Sequence, residues 1–406
     1  MIKTPLSPFS IRIRTIGHLP HNNATTQSHM SDSATPKPHL DGLDERDETL
    51  TAIFNGLMEQ AGLTPKATPP SLERIETGWN NRVYVVNDAY ALRLSKAANW
   101  PEFKITAEME AGIAVDTIIR STIPRPSILA ADASGDLVPD GSMRSILMPK
   151  VEGRCLDTAW ESMGLEAKTQ LCAELADVVG ILQSHAHSHG GVPYLDPSGE
   201  LAVRERFDRE VRGIPGTVTE WYRGYIDNHV AMCRENPYVE PLRAFIPRLM
   251  SVYESLELLD LDSGSHFVLV HGDLDLRNVM GFPETGALSA VLDWEWVWFA
   301  PIEAEFWTGF DELTEAGDTP LLQAAIQAHP TAIYAPTDVP DYQLRLHILD
   351  AAVGLIPWHM DTKTEEERAS AIASASATVS HLLDTIEAAI AAKSSTKPNA
   401  GIEHRG

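Results

Sequence analysis

The sequence predicts an α+β fold in two lobes, a small one built on an antiparallel sheet and a larger one that is mainly helical. Three observations carry this. The chain has 406 residues, 43% of them apolar, which is more than a single hydrophobic core organises. From Leu72 to Leu94, short strand-like runs alternate with turn residues, as in a small antiparallel sheet. Beyond Gly153 the apolar residues recur at helical spacing. The expected organisation is a tail over 1–45, a small lobe over 46–149, a large lobe over 150–392 and a flexible tail over 393–406.

The formal charge is −25, and no basic cluster interrupts it. That argues against a nucleic-acid partner, which needs a basic surface. An acidic surface keeps a protein soluble and also attracts cationic small molecules. No apolar run approaches the roughly eighteen residues of a membrane span, so no membrane partner is expected. Cys155, Cys172 and Cys233 are widely spaced and odd in number. They form no Cys-x-x-Cys pair and no disulfide framework, which fits a reducing, cytoplasmic compartment. The first 45 residues are rich in Ser, Thr, Pro, His and Asn and read as disordered. Before Asp32 there is no acidic residue, and Lys3, Arg12 and Arg14 give a faint mitochondrial transit-peptide pattern. A floppy tail, or an upstream start ahead of Met30, explains the same composition more simply.

Leu50, Ile53, Phe54, Leu57 and Met58 share one helical face, and Gly62 is placed to end that helix. Pro65, Pro69 and Pro70 then break the chain. The first turn of the sheet, Glu76-Thr77-Gly78-Trp79-Asn80-Asn81-Arg82, contains Gly78, which would let the backbone approach a phosphate closely. In Tyr90-Ala91-Leu92-Arg93-Leu94, the two-residue period puts Tyr90, Leu92 and Leu94 on one face, and Ala91 and Arg93 on the other. A helix from about Pro101 to Arg120 carries Glu108 and Glu110, and Arg144 to Gly153 reads as a last strand running into a connector.

In the larger part, Leu171, Leu175, Val178, Val179 and Leu182 mark a buried helix face. That helix is expected to end near His185-Ala186-His187-Ser188-His189. Alternating histidines can bind metal. A polar loop is the simpler reading, because no Cys or acidic partner shares a metal-like spacing. Residues 200–262 read as amphipathic helices, with Trp221, Tyr222 and Tyr225 serving either packing or a substrate pocket. Leu321, Ile326, Leu344, Leu346, Ile348 and Leu349 are expected core residues. A final helix presents Ile372, Ala375, Val379, Leu383, Ile386 and Ile390.

One stretch carries the chemistry. Phe267-Val268-Leu269-Val270 is an apolar strand that delivers His271-Gly272-Asp273, followed by Asn278. A second strand, Ser289-Ala290-Val291-Leu292, delivers Asp293. Two carboxylates at strand ends with an Asn between them suit phosphoryl transfer. One Asp takes the acceptor's hydroxyl proton, while the Asn and the other Asp hold Mg²⁺ on the phosphates. The spacing from Asp273 to Asn278 is that of the H-x-D-x-x-x-x-N loop. A single such Asp reads better as part of a β-hairpin whose Asp and Asn only make turns; the three residues together, each in its strand-turn context, do not.

These residues resemble the aminoglycoside phosphotransferase and choline kinase-like family, small-molecule kinases with a protein-kinase-like fold. The resemblance is closest over 267–300, in register over about 71–160 and thin elsewhere. It implies ATP and Mg²⁺ as cofactors, bound in a cleft between the lobes, and γ-phosphoryl transfer to a hydroxyl of an aminoglycoside-, choline- or sugar-like small molecule. Asp273 is then the base, with Asn278 and Asp293 the magnesium ligands. Arg93 stands where this architecture usually has a phosphate-holding Lys, with Lys96 as the alternative. Glu110, in preference to Glu108, would pair with that cation. The connector backbone from Met148 to Val151 would hold adenine, and His271 would shape the loop by hydrogen bonding.

Asp293 is followed by Trp-Glu where a protein kinase has Phe-Gly, and neither a Gly-rich loop nor Ala-Pro-Glu is present. The alternative to an enzyme is a nucleotide-binding regulatory protein of the same fold that has lost catalysis. The filled base and metal positions argue against it. Glu303, Glu305, Asp311 and Glu312, with Trp298 and Trp307, are expected near the acceptor and would favour a cationic one. The sequence leaves the oligomeric state open.

Overall fold

The computed structural model describes residues 47–64, 69–75, 81–95, 111–115, 117–119, 122–132, 135–137, 144–196, 198–205, 213–263, 266–308, 324–325, 341–357, 360 and 363–396. Gly78, Lys96, Glu108, Glu110, Asp311, Glu312, Leu321 and Ile326 lie outside them, as do the two expected tails up to residue 46 and from 397. The chain divides into two compact units, Met1–Thr106 with Pro126–Lys150, and Ala107–Arg125 with Val151–Gly406.

Among the described residues, the smaller unit shows a five-stranded antiparallel sheet with one helix on it. Helix α1 (Asp47–Gln60) buries Leu50, Ile53, Phe54, Leu57 and Met58, the face read from the sequence. Each such side chain contributes about 1.5–3 kcal/mol of burial energy before entropy is counted. Gly62, at φ +68°, ends the helix. Its N–H bonds to Glu59 O and that of Leu63 to Met58 O, the paired bonds of a left-handed cap. The strands β1 (Leu72–Ile75), β2 (Asn81–Val86), β3 (Tyr90–Ser95), β4 (Ala130–Asp132) and β5 (Ser145–Pro149) lie in the order β1-β2-β3-β5-β4. The helix packs against Tyr84, Val86, Leu92, Leu94 and Leu147. Alternation therefore sends Arg93 to the other face of β3, where it is buried at 7% exposure.

Among the described residues, the larger unit combines helices with three small antiparallel sheets. Its strands are β6 (Arg154–Cys155), β7 (Ala186–His187), β8 (Val192–Leu195), β9 (Leu201–Arg204), β10 (Phe267–Val270), β11 (Val279–Phe282), β12 (Ala287–Val291) and β13 (Trp298–Pro301). One sheet runs β13-β10-β7, another β12-β11-β6, and β8 pairs with β9. The histidine segment is thus not simply a loop: Ala186 and His187 pair with Val268 and Phe267. The hairpin β8–β9 was not read from the sequence.

The helices are α2 (Leu165–Gln183), α3 (Val218–Glu235), α4 (Ile246–Ser255), α5 (Glu303–Thr308), α6 (Tyr342–Val353) and α7 (Glu365–Thr396). Helix α3 opens with a reciprocal cap between Thr217 and Glu220. Its Trp221, Tyr222 and Tyr225 are fully buried core residues. In α6 and α7, Leu344, Ile348, Leu349, Val379, Leu383 and Ile386 are buried. Helix α7 runs past residue 392 to Thr396, into residues expected to be a frayed tail, and Lys393 within that extension pairs with Asp341 at 2.5 Å. Among the described residues no helix is long and apolar enough to cross a membrane.

Candidate active site

All four residues of β10 are buried, so the strand is fixed on both faces before it releases the loop. The loop begins with His271, which has no exposed surface. Its Nε2 lies 2.8 Å from Leu292 O, and its Nδ1 lies 3.3 Å from the Asp273 N–H. A carbonyl can only accept and a backbone amide can only donate, so the ring carries its proton on Nε2 and is neutral. Burial agrees, pushing its pKa down to about 4. Trp294 packs edge-on against the ring at 4.7 Å.

Gly272 follows at φ +79°, and a Cβ there would lie 2.5 Å from Trp296 O. The position therefore demands glycine on both conformational and steric grounds. Asp275, also without exposed surface, accepts the Arg277 N–H at 2.7 Å and pairs with the Arg277 guanidinium. This opens the short 3₁₀ turn Leu276–Asn278. Cys155 supports the same turn, its thiol donating to Arg277 O at 3.0 Å.

Asn278 ends the turn and points back. Its Nδ2 donates to Asp273 O at 2.8 Å and to Asp273 Oδ2 at 2.9 Å. Its backbone oxygen accepts the Leu292 N–H at 2.7 Å, which brings the residue before Asp293 against it. Asp293 itself adopts a left-handed conformation, φ 60° and ψ 59°. Burial first, then the charges of Asp293 and Asp275, raise the Asp273 carboxyl to about 7, against the opposing pull of Asn278 and Arg277. The fold therefore gathers Asp273, Asn278 and Asp293 into one electrostatically coupled group. Strands β10 and β11 lie in different sheets, so the segment between them is not a hairpin turn.

The remaining sequence candidates fall elsewhere. Arg93 and Met148 belong to the smaller unit, and Val151 begins the second segment of the larger. Strand β4 pairs with β5 only as far as Leu147, so Met148 has no ladder partner on that side among the described residues. Glu303 and Glu305, expected to face an acceptor, are 1% and 2% exposed. Glu303 Oε1 accepts from Tyr222 Oη at 2.7 Å and from Arg345 at 3.1 Å, so its charge is already matched inside the core. Trp298 is likewise buried. Sequence reasoning missed Asp275 as the cap of the 3₁₀ turn, although Asp ahead of a short turn is a recognisable signal.

A family model described as the phosphotransferase enzyme family matches residues 71–338. No curated protein matches the chain. Among solved structures, the ADP-bound aminoglycoside phosphotransferase APH(2'')-Ib is similar with a TM-score of 0.51 at 12% identity, over 82% of this chain and 98% of that one. The GDP and kanamycin complex of APH(2'')-IIIa is similar with a TM-score of 0.52 at 13% identity, over 81% and 99%. At such identities the likeness concerns the fold, which is protein-kinase-like.

Proposed function

We propose that this chain, which belongs to the phosphotransferase enzyme family, moves the γ-phosphoryl group of ATP to a hydroxyl of a small molecule. The observation that carries this reading is the Asn278 side chain bound to both oxygens that Asp273 offers it, carbonyl and carboxylate. With Nδ2 committed to Asp273, the Asn278 Oδ1 is left as a hard oxygen donor. With the Asp293 carboxylate it suits Mg²⁺, which keeps its waters and takes its other ligands from phosphates. Among the described residues no three His, Cys, Asp or Glu side chains are grouped to hold a metal. Asn278 and Asp293 would hold the ion, and the ion would neutralise charge on the phosphate oxygens.

Asp273 orients the acceptor hydroxyl and takes its proton. Asn278 engages Oδ2, so the hydroxyl meets Oδ1. The burial that raises Asp273 also makes it a competent base near neutrality. Arg93, buried on the face of β3 opposite the α1 core, holds phosphate oxygens. The backbone of Met148 and Val151 holds adenine. His271, neutral and hydrogen-bonded at both ring nitrogens, shapes the loop and transfers no proton.

The acceptor class follows the relatives: APH(2'')-IIIa is complexed with kanamycin, a hydroxyl-bearing amine. The test is acceptor-dependent ADP release by purified protein with Mg-ATP, or GDP release with Mg-GTP, against a panel of aminoglycosides, amino alcohols and sugars. Release with at least one acceptor, lost in Asp273→Ala, is expected. Silence across the panel with both nucleotides overturns the proposal.

A further inference from the structure

We infer that Arg125 is a positioning residue that holds the Asp293 segment in place through the Trp294 indole. The inference rests on reading Asp293 as a magnesium ligand. The dipeptide Pro124-Arg125 touches the chain on both sides of Asp293. Pro124 O accepts the Val291 N–H at 2.8 Å, two residues before Asp293. The Arg125 guanidinium carbon lies 5.6 Å from the centre of the Trp294 ring, one residue after Asp293. That is within the range at which a cation is attracted to an indole. Arg125 is itself fixed, its Nη2 donating to Gly112 O at 2.8 Å. Gly112 lies in the helical residues 111–115, so the guanidinium joins that helix to the Asp293 turn.

The local structure gives this contact a purpose. Asp293 is left-handed, φ 60° and ψ 59°, which costs a residue with a side chain. Its neighbours must therefore hold the turn. Trp294 is 4% exposed, its Nε1 donates to Val291 O at 3.0 Å, and its ring meets His271 edge-on at 4.7 Å. The indole thus ties the end of β12, the catalytic loop and Arg125 into one set of contacts. The strap that carries Arg125 is rooted nearby, since Ile119 and Ile123 are buried in the larger core. Pro124 and Pro126 flank Arg125 and restrict the backbone there, which lowers the entropy lost on ordering it. A planar guanidinium can cover a ring and donate from its edge at once, which an ammonium does less well. Without the guanidinium, the Pro124–Val291 and Trp294–Val291 bonds remain. The segment should then keep its fold and lose its precise placement.

Two variants and a double-mutant cycle test this. Arg125→Met removes charge and donor at similar length, and Arg125→Lys keeps both without the planar group. In the metal-free chain, backbone amides of 291–295 should exchange hydrogen ~10-fold faster in Met and by a smaller factor in Lys, with β10 still protected. At saturating nucleotide, the free magnesium giving half-maximal rate should rise ~5–10-fold in Met and less in Lys, with the acceptor KM within ~2-fold, as for a residue supporting a metal ligand. The same shift should appear in the affinity for Mn²⁺ with ADP, which needs no acceptor. Because Arg125 acts through the indole, Arg125→Met should add little to Trp294→Leu. Should Trp294→Leu fail to fold, the order wild type, Lys, Met carries the test. Exchange needs neither metal nor turnover, so it decides the inference even if the wild-type chain transfers no phosphoryl group. Unchanged exchange in Met, faster exchange with unchanged metal dependence, a Lys variant as poor as Met, or full additivity with Trp294→Leu overturns the inference.

Discussion

Two buried groups around Asp273 make opposite demands on pH. His271 has its pKa lowered to about 4 by burial, whereas the unfolded chain takes up the proton near 6.5. Its stabilising contribution is present above pH 6.5 and is lost as pH falls toward 4, on the order of 3 kcal/mol in all. Glu305 is raised to about 7, so its contribution is present below about 4.5 and is lost as pH rises through 7. The two slopes oppose each other, and the wild-type profile shows their sum. We expect His271→Gln to lose the acid-side slope and leave the Glu305 slope unopposed, so that the urea midpoint at pH 5 rises relative to that at pH 7.5 when compared with the wild type. Asp273→Ala is expected to lower turnover about 100-fold or more while nucleotide affinity is retained, since only the proton acceptor is removed. Asn278→Ala and Asp293→Ala should instead raise the magnesium requirement or abolish activity; unchanged magnesium titrations in both would refute their assignment.

At the scale of elements, the loop works because the strand before it cannot move. Strand β10 is flanked by β7 and β13, and every one of its side chains is buried. Gly272 then makes a turn that other residues cannot, against Trp296 O. Gly272→Ala is expected to cost about 1–3 kcal/mol from backbone strain alone, with a further penalty from the clash. Urea denaturation with a parallel activity assay checks this, and wild-type values in both would show that the loop can relax. In the smaller unit, Phe54 has no exposed surface and packs on Tyr90 at 5.8 Å. Phe54→Ala should destabilise by about 3–5 kcal/mol, as for other large buried aromatics. Thermal unfolding of the variant supplies the measurement.

For the molecule as a whole, the charge of −25 is the dominant electrostatic fact. If the acceptor is cationic, its KM should rise with ionic strength, because salt screens long-range attraction beyond about 10 Å at 0.1 M. A neutral sugar acceptor should show a flat KM. With Glu303 and Glu305 sealed in the core, any such attraction comes from the general field or from other carboxylates. Nucleotide binding should weaken in Arg93→Ala, and an unchanged affinity would remove Arg93 from the phosphate site.

Local order and periodicity were legible without the structure. The face of α1, the alternation that separates Arg93 from Leu92 and Leu94, and the spacing of Asp273, Asn278 and Asp293 depend on neighbours within a few residues, and a one-dimensional pattern records them. Burial of charge does not. Whether Glu303 and Glu305 face a substrate or the core depends on Tyr222 and Arg345, 81 and 42 residues away from Glu303 along the chain. The pairing of β7 with β10 likewise turns histidines that read as a loop into a sheet edge. The chemistry-bearing residue types and their spacing were thus determined by the sequence itself. Which carboxylates stay available for chemistry was decided only when distant segments closed over some of them and supplied their hydrogen-bond partners.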